Sequence, residues 1–203
     1  MLPLDEFKDF LPKYLSGPAQ QSLFEELKRF PDNIDQRMYL NRALAGAAIY
    51  QGDGLCNLLI TNLPQEGMRK ARAMVLSNSC DISQAETATF PANIFYCPII
   101  SLRNYVELIS HVQPATNHAS HIDAIRKQHV SSMFFLPENP ALHEGSIALL
   151  DRITSCASTA YALDTLLQER LFTLSNYGFY LLLYKLSVHF TRIRENVDRN
   201  ALN

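Results

Sequence analysis

Three cations, Arg69, Lys70 and Arg72, crowd four positions of the stretch Met68-Arg69-Lys70-Ala71-Arg72. Guanidinium and ammonium groups this closely spaced hold phosphate oxygens, and a guanidinium stabilises the charge that builds on a phosphate under attack. Ser77-Asn78-Ser79-Cys80-Asp81 sets a thiol among small polar groups at the end of an apolar run. That thiol is a nucleophile only where a neighbouring cation lowers its pKa, and Asp81 acts in the opposite sense. The same five residues also read as a structured turn, with Ser, Asn and Asp side chains bonding main-chain groups. Further on, Ser101 closes an apolar run, Arg103 follows it, and Asp151-Arg152 sets a carboxylate beside a cation. Arg72 and Asp151 are therefore candidates for catalytic work, and Arg69, Lys70, Arg103, Cys80 and Asp81 the candidates for binding.

Other chemistries find less support. His118 and His121 share a helix face, with His129 beyond them, but a zinc site needs three or four ligands, and no His-x-x-x-His or Cys-x-x-Cys pair supplies them. No P-loop, G-x-G-x-x-G or G-x-S-x-G occurs. Neither a metal nor a cofactor is expected. The formal net charge of −2 gives no global attraction to nucleic acid, so any phosphate binding must be local. The four cysteines (Cys56, Cys80, Cys97, Cys156) are widely spaced, and the acidic N-terminus lacks the order of a secretory signal. They read as reduced thiols in a cytoplasm. No apolar run reaches the ~18 residues that span a bilayer, so no membrane partner is expected.

The elements that must position these residues follow from periodicity. Leu4, Phe7, Phe10, Leu11 and Tyr14 recur at helical spacing, and Leu23, Phe24, Leu27 and Phe30 make a second stripe after Pro18. A third helix is expected from Ile34 to Ala48. Turn chemistry at Gln51-Gly52-Asp53-Gly54 opens a strand over Leu55 to Leu63, and Pro64-Gln65-Glu66-Gly67 turns again. Further strands are expected over Ala71 to Ser77, Asn93 to Ile100, Met133 to Leu136 and Gly145 to Leu150. Arg103 to His111 fits helix or strand equally, and His118 to Val130 reads as helix. From Asn176, whose side chain is placed to cap the first turn, Phe179, Leu182, Leu183, Leu186, Phe190 and Ile193 mark a long helix.

The order Gly52-Asp53-Gly54, strand, Pro64-Gln65-Glu66-Gly67, basic segment, Ala71-Arg72-Ala73-Met74-Val75-Leu76-Ser77, then Pro98-Ile99-Ile100-Ser101 resembles the MazF/PemK family, the SH3-like-barrel toxins of bacterial toxin–antitoxin pairs. A looser likeness runs from Glu144 to Arg152, and the whole covers roughly Tyr50 to Phe190. The resemblance implies an α+β fold: an N-terminal helical extension over 1–49, and a small SH3-like β-barrel with a long C-terminal helix over 50–203. It also implies metal-independent chemistry on single-stranded RNA. At the positions of the family's Arg and Thr this chain carries Ala71 and Ile100, so Arg72 and Ser101, each one residue on, are their stand-ins. A one-residue shift turns a strand residue to the other face unless a bulge, here at Lys70-Ala71, restores it.

The reading that follows is a binding module for RNA or protein in a toxin–antitoxin, phage-defence or mobile-element setting, lacking the family's usual RNase site. Its groove would lie near Arg69, Lys70, Arg72 and Arg103. The alternative is an endoribonuclease with a relocated site: Arg72 stabilises the phosphorane, Asp151 or a nearby His is the base, and Ser101 positions the phosphate. A third possibility is a cysteine-dependent enzyme built on Cys80. The partners implied are single-stranded RNA, an antitoxin or other protein, and a second copy of the chain in a homodimer.

Overall fold

The computed structural model describes residues 16–41, 48–62, 64–79, 82, 92–111 and 118–191. The expected helix over Leu4 to Tyr14 lies outside them. The fold is α+β. Its strands are β1 (Gly54–Asn62), β2 (Gln65–Val75), β3 (Asn93–Ser101), β4 (Met133–Leu136), β5 (Ser146–Leu149), β6 (Thr154–Ala157) and β7 (Arg170–Phe172). Its helices are α1 (Gly17–Lys28), α2 (Leu102–Ser110), α3 (His118–Arg126), α4 (Leu163–Gln168) and α5 (Asn176–Thr191). The segment that fitted helix or strand equally is α2. Elements β6, α4 and β7 had no sequence expectation, being three to six residues long and lacking the unbroken apolar runs that mark the equally short β4 and β5.

All pairings are antiparallel and run β4-β5-β3-β2-β1-β7. Strand β6 pairs with the first half of β3, on the edge whose second half takes β5. Thus β5 and β6 are two halves of one strand, interrupted and set out of register by the turn over 150–153. Strands β4 and β7 end the path and, among the described residues, no ladder joins them, so the expected closed barrel is instead an open sheet. The reason is visible at β7, which is three residues long and meets β1 only at Gly54 and Leu55.

The third expected helix is also corrected. Residues 42–47 of it lie outside the described residues; in the described part only Gln36–Met38 turns, as one 3-10 turn whose Asp35 side chain accepts from the Arg37 amide, and Tyr39 is extended. Tyr39 forms a β-bridge with Leu174, and the Leu40 amide donates to the Thr173 carbonyl at 3.0 Å. Pairing with the chain beyond β7 therefore overrides local helix propensity. Helix α5 crosses this segment at backbone contact: a Cβ on Gly178 would lie 2.2 Å from the Met38 carbonyl oxygen. The α5 cap is Ser175 rather than Asn176, its Oγ accepting from the Gly178 amide at 3.2 Å.

Both faces of the sheet are covered. On one, Met74, Cys97, Ile99 and Ala148 pack under Leu23 of α1, Met38, and Leu181 and Leu182 of α5. On the other, Leu55, Leu58, Ala73, Val75, Ile94 and Tyr96 pack with Leu166 of α4. Double coverage explains why Ala73, Met74 and Val75 are all buried in succession instead of alternating. A third cluster sets Ile147 and Leu149 of β5 against Leu102 of α2 and Ile125 of α3. Among the described residues no helix is long and apolar enough to cross a membrane.

Candidate functional site

The basic segment, expected to precede a strand starting at Ala71, is the middle of β2, which is continuous from Gln65. Arg69 pairs with Ile60, Lys70 with Leu59 and Ala71 with Leu58. Strand alternation then puts Lys70 and Arg72 on the face of Met74, and Arg69 on the other. No bulge occurs at Lys70-Ala71; it lies on the partner strand, where the register breaks between Leu55 and Leu58 and leaves Cys56 and Asn57 opposite Arg72. Asn57 takes φ 59°, a left-handed conformation that Asn tolerates better than most residues, and such a bulge bends the strand. Arg69, Lys70 and Arg72 are all exposed, and none has an ion-pair partner among the described residues.

Glu169, just before β7, closes over the bulge. Its carbonyl accepts from the Cys56 amide at 2.9 Å and its carboxylate from Asn57 Nδ2 at 2.9 Å. Hydrogen bonds from Cys56 and Asn57, with a smaller pull from Lys70, hold its carboxyl below the usual range. The Cys56 thiol moves the other way: burial, then Glu169, push it up to about 11, and Arg72 only partly offsets them. Burial and Glu169 thus disfavour the Cys56 thiolate, the form that reacts.

The other expected site residues lie elsewhere. Ser101 is the N-cap of α2, its Oγ accepting from the Asn104 amide at 3.1 Å. Arg103 is exposed on α2 and 3.6 Å from Glu144. Asp151 is exposed in the turn between β5 and β6, and its charge helps to push the Cys97 thiol and the Tyr105 phenol up, after burial in each case. Among the described residues no hydrogen bond or ion pair joins any two of Arg72, Ser101 and Asp151. Cys80 and Asp81 lie outside the described residues. Of their neighbours, Ser77 and Ser79 do bond main-chain groups, but those of other segments: Ser77 Oγ accepts from the Phe95 amide at 2.7 Å, and Ser79 Oγ from the Gln51 amide at 3.1 Å. His121 Nε2 meets the Tyr105 hydroxyl at 2.8 Å, and no group of three His, Cys, Asp or Glu among the described residues is arranged to hold a metal.

Two polar sites escaped the sequence reading. Asp53, read as a turn residue, is fully buried; its carboxylate accepts from the Tyr50 amide at 2.9 Å and faces Arg170 Nε at 3.2 Å. Burial pushes its carboxyl up, while the Tyr50 amide, Thr173 and Arg170 pull it down. Arg170 also donates to the Ala48 carbonyl, so the pair ties the start of β1 to β7. Second, two tyrosines protect the outer edge of β1: the Tyr96 hydroxyl donates to the Leu59 carbonyl at 2.6 Å, and the Leu59 amide donates to the Tyr161 hydroxyl at 2.9 Å. The Gly-Asp-Gly spacing was a signal for the first; nothing local signals the second, whose partners are 37 and 102 residues apart.

No family model matches this chain, and no curated protein matches it.

Proposed function

We propose that the chain is a binding module for single-stranded RNA, a diverged relative of the MazF/PemK-like, SH3-like proteins that serves a toxin–antitoxin, phage-defence or mobile-element system. The observation that carries this reading is the exposed row of cations along β2, unpaired among the described residues. Lys70 and Arg72 share a face about 7 Å apart, two strand residues, a spacing suited to neighbouring phosphates on an extended strand. Met68, 71% exposed, and Leu59, 38% exposed and opposite Lys70, offer apolar surface for bases beside those charges. The antiparallel register brings the C-terminal end of β3, and hence Arg103, toward the same end of the sheet as the N-terminal half of β2. The family likeness rests on the β1–β2 hairpin and the third strand that follows it. The ribonuclease alternative draws no comparable support, because Ser101 already caps a helix and, among the described residues, no hydrogen bond or ion pair joins Asp151 to Arg72.

The test is anisotropy of a labelled single-stranded RNA in EDTA, titrated with the wild type and with a Lys70→Ala/Arg72→Ala variant over a range of salt. The expected result is binding that weakens at least about tenfold in the variant, with a salt slope shallower by about one to two. Equal retention by both proteins, or none by either, overturns the reading. RNA fragments ending in cyclic phosphate in the same mixtures would establish the ribonuclease instead.

A further inference from the structure

A cleft of about 580 Å³ opens where the 3-10 turn at Gln36–Met38, the start of α2, the end of α3 and the end of β4 meet. It shares no lining residue with the basic strand. Its volume falls within the ~300–1,000 Å³ of small-molecule sites. Ile34, Leu102, Phe135 and Pro137 give it an apolar floor.

Its charges sort into two pairs of different kinds. Arg37 and Asp35 neutralise each other: Arg37 Nη2 lies 2.7 Å from Asp35 Oδ2, and Nε is 2.9 and 3.1 Å from the two carboxylate oxygens. Arg126 and Glu138, on the same cleft, are exposed and have no ion pair or hydrogen bond among the described residues. One free guanidinium and one free carboxylate thus stand over an apolar floor.

The walls are held in fixed relation. Helix α3 ends in a Schellman motif: His129 N donates to the Ala124 carbonyl at 2.8 Å and Gln128 N to the Ile125 carbonyl at 2.9 Å, with Gln128 at φ 61°. The Gln128 side chain then grips Phe135 by its amide and its carbonyl, at 3.1 and 2.8 Å. The helix end that carries Arg126 is therefore fastened to the strand that supplies the floor. On the far side, the Gly145 carbonyl accepts from the Leu102 amide at 2.8 Å, and a Cβ on Gly145 would lie 2.9 Å from the Phe135 ring. Only glycine there leaves the ring where it is.

We propose that this cleft binds a small zwitterion with an apolar body, a free amino acid of the leucine or phenylalanine type or a short peptide of them. The carboxylate meets Arg126, whose planar guanidinium suits two-point contact; the ammonium meets Glu138; the side chain covers Leu102 and Phe135. The site is independent of the RNA reading, because neither charge belongs to the hairpin.

The experiment is calorimetric titration of the full chain with leucine, phenylalanine and leucyl-leucine, alongside N-acetyl-leucine and leucinamide, each of which lacks one charge. The expected result is saturable binding of at least one zwitterion, at least about tenfold weaker for the two blocked compounds. Arg126→Gln abolishes the advantage of a free carboxylate, and Glu138→Gln that of a free ammonium. Both residues are exposed, so both variants are expected to keep the wild-type melting temperature. The proposal is overturned by no saturable heat up to about 10 mM of any of the three zwitterions. It is equally overturned by blocked compounds that bind as well as free ones, or by binding that both variants leave unchanged.

Discussion

The Tyr39 hydroxyl donates to the Pro137 carbonyl at 2.7 Å, while the Tyr39 main chain bridges to Leu174. Pro137 directly follows β4 and Leu174 closely follows β7, the two ends of the open sheet. The join that no ladder makes is thus made by one side chain from the segment before β1. The Tyr39 ring stands edge-on to Phe172 at 5.1 Å, and burial pushes its phenol well above the usual range, so it keeps its proton as a donor.

Tyr39→Phe keeps the ring contact and removes only that donor. It is expected to cost about 1–2 kcal/mol, because the Pro137 carbonyl is left without its partner. Urea denaturation of the two proteins measures this, and an unchanged midpoint would mean that the link carries no stability.

Lys185 supplies a pH dependence. It is 3% exposed on α5 and donates to the Gln128 carbonyl at the end of α3, with burial lowering its pKa to about 8. In the unfolded chain the same amine holds its proton to ~10.4. Between those values the unfolded state binds more protons, so this group's contribution to stability rises with pH. The thiols oppose it: Cys56, Cys97 and Cys156 are all raised in the fold and lower stability over the same alkaline range. Lysine's part is therefore read as a difference. The cost of Lys185→Met relative to wild type should grow by about 2–3 kcal/mol from pH 8 to pH 10.4. A pH-independent difference in guanidinium unfolding would show that the amine is not desolvated.

Arg170→Gln should be among the most damaging single changes, at about 3–5 kcal/mol, because it leaves the Asp53 carboxylate buried without its cation. Adding Asp53→Asn should return much of that loss. With the cation gone, Asp53 holds its proton more tightly in the fold than in the unfolded chain, so the single variant loses stability as pH climbs from ~3.9 through the raised value. Additive losses in the double variant, or no acid-side gain in the single one, would show that the two side chains act separately.

Helices α1, α3 and α5 were legible from apolar stripes at helical spacing, and strands β1, β3, β4 and β5 from apolar runs bounded by turn residues. Where partners are distant, the same signals misled. Leu40 and Leu44 sit at helical spacing, yet the Leu40 amide finds the Thr173 carbonyl, 133 residues on, so its segment extends. The expected strand began only at Ala71 because Pro64 and Gly67 signal a turn before it, whereas β1 supplies a ladder that holds Arg69 and Lys70 in the strand as well. Barrel closure was unreadable for a related reason: it depends on the length of β7 and on one tyrosine hydroxyl, neither of which leaves a periodic trace. Of the candidate site, the basic row was legible from the spacing of Arg69, Lys70 and Arg72. The cleft was not, because Arg126 and Glu138 share it only after α3 and β4 have packed.

Ser101 separates a structural role from a chemical one. Its hydroxyl accepts from the Asn104 amide, so Ser101→Ala should cost about 1 kcal/mol as a lost helix N-cap. Ser101→Thr or Ser101→Asp keeps an acceptor there and should retain most of that stability. Because the RNA reading places the phosphates on Lys70 and Arg72, all three variants should retain single-stranded RNA like the wild type at a temperature where each is folded. A positioning role on the phosphate predicts the reverse pattern. An unchanged unfolding midpoint in Ser101→Ala, together with lost RNA retention or lost cleavage, would move Ser101 from the helix cap to the reaction.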